Sequence, residues 1–154
     1  MSLFKKTLNK LIKKNISVAT VESCTGGLLA STFIKHTNAS KIFKFGFITY
    51  SNESKIKFLK IKKNVLNKHG AVSYEVAKCM VENLYKIEKS LITISTTGIA
   101  GPKGGTINKP VGLIYIGLKY KFNTKIYKKR FKGTRIKIQK DVVKFIFNKI
   151  NHLI

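Results

Sequence analysis

The sequence predicts a three-layer α/β/α fold with a mixed, mostly parallel sheet and a C-terminal hairpin followed by a helix. Two observations predict it. Short apolar segments rich in β-branched residues alternate with segments whose apolar residues recur at helical spacing. Near the C-terminus, two alternating segments flank a short turn. Strands that alternate with helices are typical of parallel sheets covered on both faces. The 154 residues contain no linker or repeat, which predicts a single domain over residues 1–154.

The N-terminal elements are predicted from apolar spacing. A first helix carries its apolar residues at helical intervals: Leu3, Phe4, Leu8, Leu11 and Ile12. We expect this helix to pack on its own domain, and the alternative is a basic helix bound to a membrane surface. Residues 16–21 predict a buried strand, residues 28–34 a helix and residues 43–50 a second strand.

The remaining elements follow the same alternation. A helical stretch begins near Asn52, and the segment around His69 is typical of a helix C-terminus. Ser73 predicts the capped start of the next helix, because serine is a preferred N-cap residue. Residues 91–96 predict a third strand, and residues 111–119 and 125–131 predict a hairpin that turns around residues 122–124. A last helix from Thr134 has one apolar face, formed by Ile138, Val142, Phe145, Ile146 and Ile150.

Three loops are candidates for a functional site, because open α/β sheets bind ligands outside the carboxyl ends of their strands. They follow Val21, Tyr50 and Thr96. The first loop places hydroxyls and two glycines between a strand and a helix, where backbone N–H groups and the helix dipole suit a phosphate or an oxyanion. An ordinary capped turn has the same composition, so both interpretations stay open.

The loop after the third strand contains four glycines and Pro102 within residues 97–105. Exposed backbone amides in such a loop can hold an anion. The loop lacks the Gly-Lys-Ser/Thr sequence of a P-loop and the spacing of a dinucleotide-binding fingerprint. A phosphate is therefore compatible with this loop, whereas nothing indicates a nucleoside triphosphate.

The titratable residues exclude several reaction classes. Of the six acidic residues only Glu22 adjoins a glycine-rich loop, which leaves no carboxylate pair for glycoside hydrolysis or two-metal chemistry. The three histidines have no ligand spacing, so we expect neither a metal nor another cofactor. The remaining possibility is a hydroxyl nucleophile activated by a desolvated lysine. Cys24 and Cys79 form no disulfide framework and predict a reducing, cytoplasmic location.

The net charge of +25 is the most unusual global property. A basic balance of this size is common in proteins that bind nucleic acid. However, 29 of the 31 basic residues are lysines, and they are scattered singly and in pairs. The chain also contains 20 Ile and 11 Asn, as expected from an AT-rich coding sequence. We therefore favour compositional drift over a dedicated interface, and expect no specific nucleic-acid or membrane partner.

Several motifs, in this order, resemble the C-terminal domain of the CinA family, whose stand-alone form is nicotinamide mononucleotide deamidase. The resemblance covers nearly the whole chain, and the combination of motifs is far more specific than any one of them. The motifs are residues 22–30 (ESCTGGLLA), 50–55 (YSNESK), 69–73 (HGAVS), 97–102 (TGIAGP), 104–105 (GG) and 109–112 (KPVG).

The resemblance implies a metal-free amidohydrolase that converts nicotinamide mononucleotide to nicotinate mononucleotide and ammonia. Ser23 corresponds to the nucleophile that attacks the carboxamide. Lys55 corresponds to the general base, which later protonates the departing ammonia. Tyr50 is expected beside this pair, where it helps to orient it. The resemblance also implies self-association, so we expect a homo-oligomer.

The same resemblance implies a set of substrate-binding residues in the glycine-rich loops and at the start of the last helix. They are Thr25, Gly26, Gly27, Thr97, Gly98, Gly101 and Arg135. Two neighbours receive other roles: we expect Glu22 to bind backbone amides of its loop and Cys24 to be a small buried apolar residue. Oxyanion stabilisation by the amides that follow Ser23 is expected from chemistry alone.

Near the last helix the chain departs from the family pattern, Gly-Asp-Arg with a further arginine four positions on. Thr134 replaces the aspartate and Gln139 replaces the second arginine, while Arg135 matches. The departure puts a phosphate grip or a subunit contact in doubt. Two alternatives to the amidohydrolase stay open: a basic nucleic-acid-binding module, and a relative that binds nucleotide without turnover.

Overall fold

The computed structural model describes all 154 residues and contains six α-helices and five β-strands. The helices are α1 (Leu3–Lys13), α2 (Leu28–Ile34), α3 (Asn52–Leu59), α4 (Lys63–His69), α5 (Tyr74–Ile87) and α6 (Arg135–Leu153). The strands are β1 (Val18–Glu22), β2 (Phe43–Ile48), β3 (Ile92–Gly98), β4 (Leu113–Tyr120) and β5 (Asn123–Arg130). One turn of 3₁₀-helix, Ala39–Lys41, precedes β2.

The strands form one sheet in the order β2–β1–β3–β4–β5. Strand β1 pairs in parallel with β2 and β3, whereas β4 is antiparallel to both β3 and β5. The parallel strands thus form one side of the sheet, and the C-terminal hairpin completes the other. The predicted α/β fold with a mixed sheet, a hairpin and a final helix is confirmed.

Helices cover both faces of the sheet and create two apolar cores. On one face, α1, α2 and α6 pack around a cluster in which the rings of Phe33 and Phe147 lie 4.5 Å apart. On the other face, α3, α4 and α5 pack against alternate residues of β1 in a smaller cluster around Met80 and Leu84. Helix α1 therefore packs on its own domain, as expected. None of the six helices combines the length and the apolar character needed to cross a bilayer.

Most of the predicted elements have the expected type, with bounds shifted by one or two residues, and two details differ. The helical stretch that begins at Asn52 is divided into α3 and α4, because Lys60 adopts a left-handed conformation with φ of 56°. The hairpin turns at residues 121–122, one residue earlier than predicted, since Tyr120 already pairs with Asn123.

The register of the parallel strands brings three loops to the same edge of the sheet. Glu22, the last residue of β1, pairs with Ile48 at the end of β2 and with Thr96 near the end of β3. Two backbone hydrogen bonds extend this alignment beyond the strands: Ser23 N donates to Thr96 O at 2.9 Å, and Thr49 N donates to Glu22 O at 2.8 Å. The segments that follow β1, β2 and β3 are therefore held side by side.

Candidate active site

Ser23 and Lys55 meet at this edge of the sheet. The Lys55 side chain extends from α3, and its Nζ atom donates to Ser23 Oγ at 3.1 Å and to the carbonyl oxygen of Thr49 at 2.7 Å. Both side chains are buried, with 8% of Ser23 and 1% of Lys55 exposed. Two residues that lie 32 positions apart in the sequence thus form a hydrogen-bonded pair inside the domain.

The surroundings of Lys55 shift its amine towards the neutral form. No carboxylate lies within ion-pair distance of its ammonium group, and burial lowers its pKa from 10.5 to about 8. A neutral amine retains N–H groups, one of which can donate to the Thr49 carbonyl. Its lone pair is then available to the Ser23 hydroxyl, and this is the arrangement that a general base requires.

The loop around Ser23 shows that this serine does not cap α2. The N-cap residue of α2 is Gly27, in a left-handed conformation with φ of 97°, and the helix amides are bound by Glu22 instead. The Glu22 carboxylate accepts from the amides of Gly27, Leu29 and Ala30 at 2.8–3.1 Å. The expected role of Glu22 is confirmed, and the Ser23 hydroxyl is left free for Lys55.

A cavity of about 320 Å³ opens beside the pair. It is lined by several of the residues singled out from the sequence: Ser23, Tyr50, Lys55, Thr97, Gly98, Gly101 and Arg135. Lys103 contributes a further cation, and no carboxylate lines the cavity. The wall is therefore positively charged, which suits an anionic ligand.

Tyr50 and Arg135 bridge two sides of this cavity. The Arg135 guanidinium donates to the Tyr50 hydroxyl at 2.9 Å and to the carbonyl oxygen of Gly101 at 2.7 Å. Tyr50 is 63% exposed and forms no hydrogen bond with Ser23 or Lys55. We expected Tyr50 to contact and orient Ser23 and Lys55. Its hydroxyl instead accepts a hydrogen bond from Arg135.

The groups of the first loop that were predicted to bind substrate have partners within the protein. The Thr25 hydroxyl is buried between Glu22, at 2.6 Å, and Thr96, at 2.7 Å, so it is already fully engaged. The amides of Gly26 and Gly27 are engaged as well, by Ser23 O and by Glu22. The structure therefore gives Thr25, Gly26 and Gly27 contacts within the loop where substrate contacts were expected.

Thr97 lies at the cavity wall, but its hydroxyl has a partner within the protein. It donates to the carbonyl oxygen of Ala71 at 2.7 Å. This hydrogen bond ties the end of β3 to the segment that precedes α5. The hydroxyl oxygen can still accept a hydrogen bond from a ligand, because it retains lone pairs.

Several backbone amides in the segments beside the cavity donate to no other residue of the protein. Those of Cys24 and Thr25 follow the serine, and those of Gly101, Lys103 and Gly104 belong to the glycine-rich loop. At Gly101, φ of 81° and contact with Val111 leave no room for a side chain, since a Cβ atom would lie 2.4 Å from Val111 Cγ1. Unpaired amides of this kind can bind the oxygens of an anion.

Cys24 is the only thiol beside the pair. Burial raises the pKa of its thiol to about 12, so the thiol stays protonated near neutral pH. The expectation of a small, buried apolar residue is thus confirmed. No group of three or more His, Cys, Asp or Glu side chains is arranged to hold a metal ion.

The structure adds two contacts that the sequence did not indicate. Thr49 contributes its carbonyl oxygen to Lys55, and a backbone role of this kind leaves no signal in the sequence. Gln139 donates from Nε2 to the carbonyl oxygen of Cys24 at 2.9 Å. The only signal for Gln139 in the sequence is its departure from the family pattern. Thr134 caps α6 by accepting from Lys137 N, so α6 retains a capping side chain without the aspartate.

Fold and site together define an α/β protein with a buried serine–lysine pair at the carboxyl ends of parallel strands. The sequence-family model of the CinA C-terminal domain matches residues 1–154, and the chain belongs to this family.

Similar sequences carry names of the same family. The CinA-like protein of Fusobacterium nucleatum subsp. nucleatum is 52% identical over 127 residues, which cover 82% of this chain and 31% of that protein. A relative from Clostridium novyi (strain NT), named as competence-damage inducible, is 50% identical over 133 residues, covering 86% of this chain and 32% of the relative. The chain thus spans about a third of the length of these curated relatives.

Solved structures match over nearly their whole length. The competence damage-inducible protein A of Klebsiella pneumoniae superimposes with a TM-score of 0.93 at 25% identity, covering 97% of this chain and 93% of that one. The competence/damage inducible protein CihA of Agrobacterium tumefaciens gives a TM-score of 0.92 at 29% identity, covering 99% and 96%.

Proposed function

We propose that this chain is an amidohydrolase that converts nicotinamide mononucleotide to nicotinate mononucleotide and ammonia. The observation that carries the proposal is the hydrogen bond of 3.1 Å between Lys55 Nζ and Ser23 Oγ, formed by a lysine that is buried away from any carboxylate. A hydroxyl beside a partly neutral amine is the activated nucleophile that amide hydrolysis needs. Membership in the CinA family supports the choice of substrate.

The charge of the cavity supports an anionic substrate. Lys103 and Arg135 line it together with the unpaired amides of Gly101 and Gly104. We assign the 5′-phosphate of the substrate to this group, and the carboxamide to the side where Ser23 and Lys55 lie. Tyr50, Thr97 and Gly98 complete the wall between these two ends.

In the first half of the reaction, neutral Lys55 takes the proton of the Ser23 hydroxyl while Oγ attacks the carboxamide carbon. The tetrahedral intermediate carries its negative charge on the former carbonyl oxygen. The amides of Cys24 and Thr25, which donate to no other residue of the protein, stabilise this oxyanion. Lys55 then returns the proton to the amide nitrogen, the C–N bond breaks, and ammonia leaves an ester on Ser23.

In the second half, Lys55 takes a proton from a water molecule as the water oxygen attacks the ester carbon. The ester bond breaks, the proton returns to Ser23 Oγ, and nicotinate mononucleotide leaves. One amine thus serves as base and as acid in each half-reaction. The carbonyl oxygen of Thr49 holds the amine in place throughout, through its hydrogen bond of 2.7 Å.

The test is ammonia release from nicotinamide mononucleotide by the wild type, Ser23→Ala and Lys55→Met, with circular dichroism to verify folding. We expect release by the wild type with and without a chelator, and a loss of at least about 10³-fold in both variants. Unchanged release in Ser23→Ala would contradict the serine mechanism. Nucleotide binding without release by the wild type would favour the alternative of a relative without turnover.

A further inference from the structure

Gln139 contacts the nucleophile loop from the helical layer opposite to Lys55. It is half-buried on α6, one turn after Arg135, and its Nε2 atom donates to the carbonyl oxygen of Cys24 at 2.9 Å. Arg135 binds the carbonyl oxygen of Gly101 from the same helix. The first two turns of α6 thus hold both glycine-rich segments beside the cavity.

The carbonyl group that Gln139 binds belongs to the same peptide as the Thr25 N–H, which the proposed mechanism uses as an oxyanion donor. The C=O of Cys24 and the N–H of Thr25 belong to one planar peptide group, so fixing one fixes the direction of the other. The turn is closed by Gly26 N, which donates to Ser23 O at 3.1 Å, and Thr25 O accepts from Leu28 N at 2.9 Å. Within this turn the Thr25 N–H has no acceptor in the protein.

We propose that Gln139 is a positioning residue, which holds the Cys24–Thr25 peptide so that the Thr25 N–H binds the oxyanion formed at Ser23. The inference rests on the proposed serine chemistry. A hydrogen bond to the C=O of a peptide also polarises its N–H, so Gln139 strengthens the donor as well as directing it. Its effect is exerted through the peptide, and Gln139 itself does not touch the substrate.

The expected effect is smaller than that of a direct oxyanion donor. Removing a direct donor costs about 10²- to 10³-fold in kcat. Because the loop is still closed by Gly26 N and Glu22, we expect loss of the Gln139 contact to cost about 10-fold. The loss falls on kcat, since the oxyanion exists only in the intermediate and its flanking transition states, while KM stays the same.

The experiment compares Gln139→Leu, which removes the donor, with Gln139→Arg, which restores one. Lys140→Leu is the matched control, an exposed neighbour on the same helix. Two readouts are used. One is kcat and KM for nicotinamide mononucleotide. The other is the rate at which a fluorophosphonate phosphonylates Ser23, followed by intact mass. In that step the Oγ–P bond forms, fluoride leaves and the serine proton passes to Lys55, while the phosphoryl oxygen occupies the oxyanion position.

We expect both kcat and labelling rate to fall about 10-fold in Gln139→Leu, with KM unchanged, and to recover in Gln139→Arg and remain normal in Lys140→Leu. Labelling of Gln139→Leu at the wild-type rate overturns the inference. So does an equal loss in the Leu and Arg variants accompanied by a lower melting temperature, which would mark a purely structural contact.

The two proposals fail in different ways. A wild type that labels at Ser23 but releases no ammonia from nicotinamide mononucleotide refutes the proposed substrate, and the labelling rates still decide the role of Gln139. A wild type that does not label at Ser23 overturns the inference, since no oxyanion then forms there.

Discussion

Lys55 Nζ lies 3.1 Å from Ser23 Oγ, although the two side chains originate from different layers of the fold. Ser23 follows the central strand β1, whereas Lys55 projects from α3 on one face of the sheet. The carbonyl oxygen of Thr49, which directly follows β2, accepts a hydrogen bond from the Lys55 amine and holds it beside Ser23. The pair therefore depends on the alignment of β1 and β2, and its protonation state on the burial that this alignment creates.

The first prediction concerns the pH dependence of catalysis. Lys55 must be neutral to accept the serine proton, and its pKa is about 8. We expect kcat/KM for nicotinamide mononucleotide to rise about tenfold per pH unit below pH 8 and to level off above it. Initial rates between pH 6.5 and about 9.5 measure this. A profile that is flat or falls with pH would exclude Lys55 as the base.

A second prediction concerns the cost of burying Lys55. Its pKa of about 8 in the folded protein lies below the ordinary lysine value of 10.5. The unfolded chain therefore binds more protons than the folded one between these values, and the free energy of unfolding rises with pH from about 8 to 10.5. Below pH 8 the buried amine destabilises the fold. We expect Lys55→Met to raise the free energy of unfolding by about 2 kcal/mol at pH 7, and by progressively less as the pH approaches 10.

Urea denaturation of the wild type and Lys55→Met at several pH values measures that difference. The matched control is Lys57→Met, an exposed lysine on the same helix, which should change stability by less than about 0.5 kcal/mol at every pH. A Lys55→Met variant that is less stable than the wild type at pH 7 would show that the amine contributes net stabilisation.

The third prediction concerns Glu22, whose carboxylate binds the amides at the start of α2. In Glu22→Gln an NH₂ group replaces one of the two carboxylate oxygens and faces the backbone N–H groups of α2. Buried N–H groups therefore lose their hydrogen-bond acceptor. We expect a loss of about 3 kcal/mol in the free energy of unfolding. Glu53→Gln, the same change in the exposed first turn of α3, is the control and should cost less than about 0.5 kcal/mol. Equal effects in the two variants would contradict the structural role of Glu22.

A fourth prediction concerns the bridge between Arg135 and Tyr50. Tyr50→Phe removes the acceptor of one guanidinium hydrogen bond, and Arg135→Lys keeps the charge but loses the forked geometry. We expect each single variant to raise KM for nicotinamide mononucleotide about 3- to 10-fold, and the double variant to show less than the product of the two effects. Strictly multiplicative effects on KM would show that the two side chains act independently.

Much of the fold could be predicted because the sequence is locally consistent. The apolar spacing of α5 and α6 and the side chains of Ser73 and Thr134, which cap them, all indicate the same boundaries. The division between α3 and α4 was missed, since a left-handed lysine has no local signature. Leu59 and Ile61, which flank this lysine, both pack into the second core. The spacing of apolar residues along the sequence does not reveal tertiary contacts of this kind.

The site was predictable only in part. Ser23 and Lys55 were identified through motifs, and the structure brings them together. The contacts of Thr25, by contrast, depend on the neighbouring strand, because its hydroxyl binds Thr96, which is 71 positions away. The carbonyl oxygens of Thr49 and Cys24 were missed for a simpler reason: every residue carries the same backbone groups, and only the fold selects among them.

The loop that carries Ser23 is held from both layers at once, by Lys55 from α3 and by Gln139 from α6. A partly folded chain that has lost either helix still contains the serine, but without the Lys55 amine or without the Gln139 contact to the Cys24 peptide. Under the proposed mechanism, the serine is not activated in the first case and reacts about 10-fold more slowly in the second. Full reactivity towards the amides of other molecules thus requires both helices to be docked.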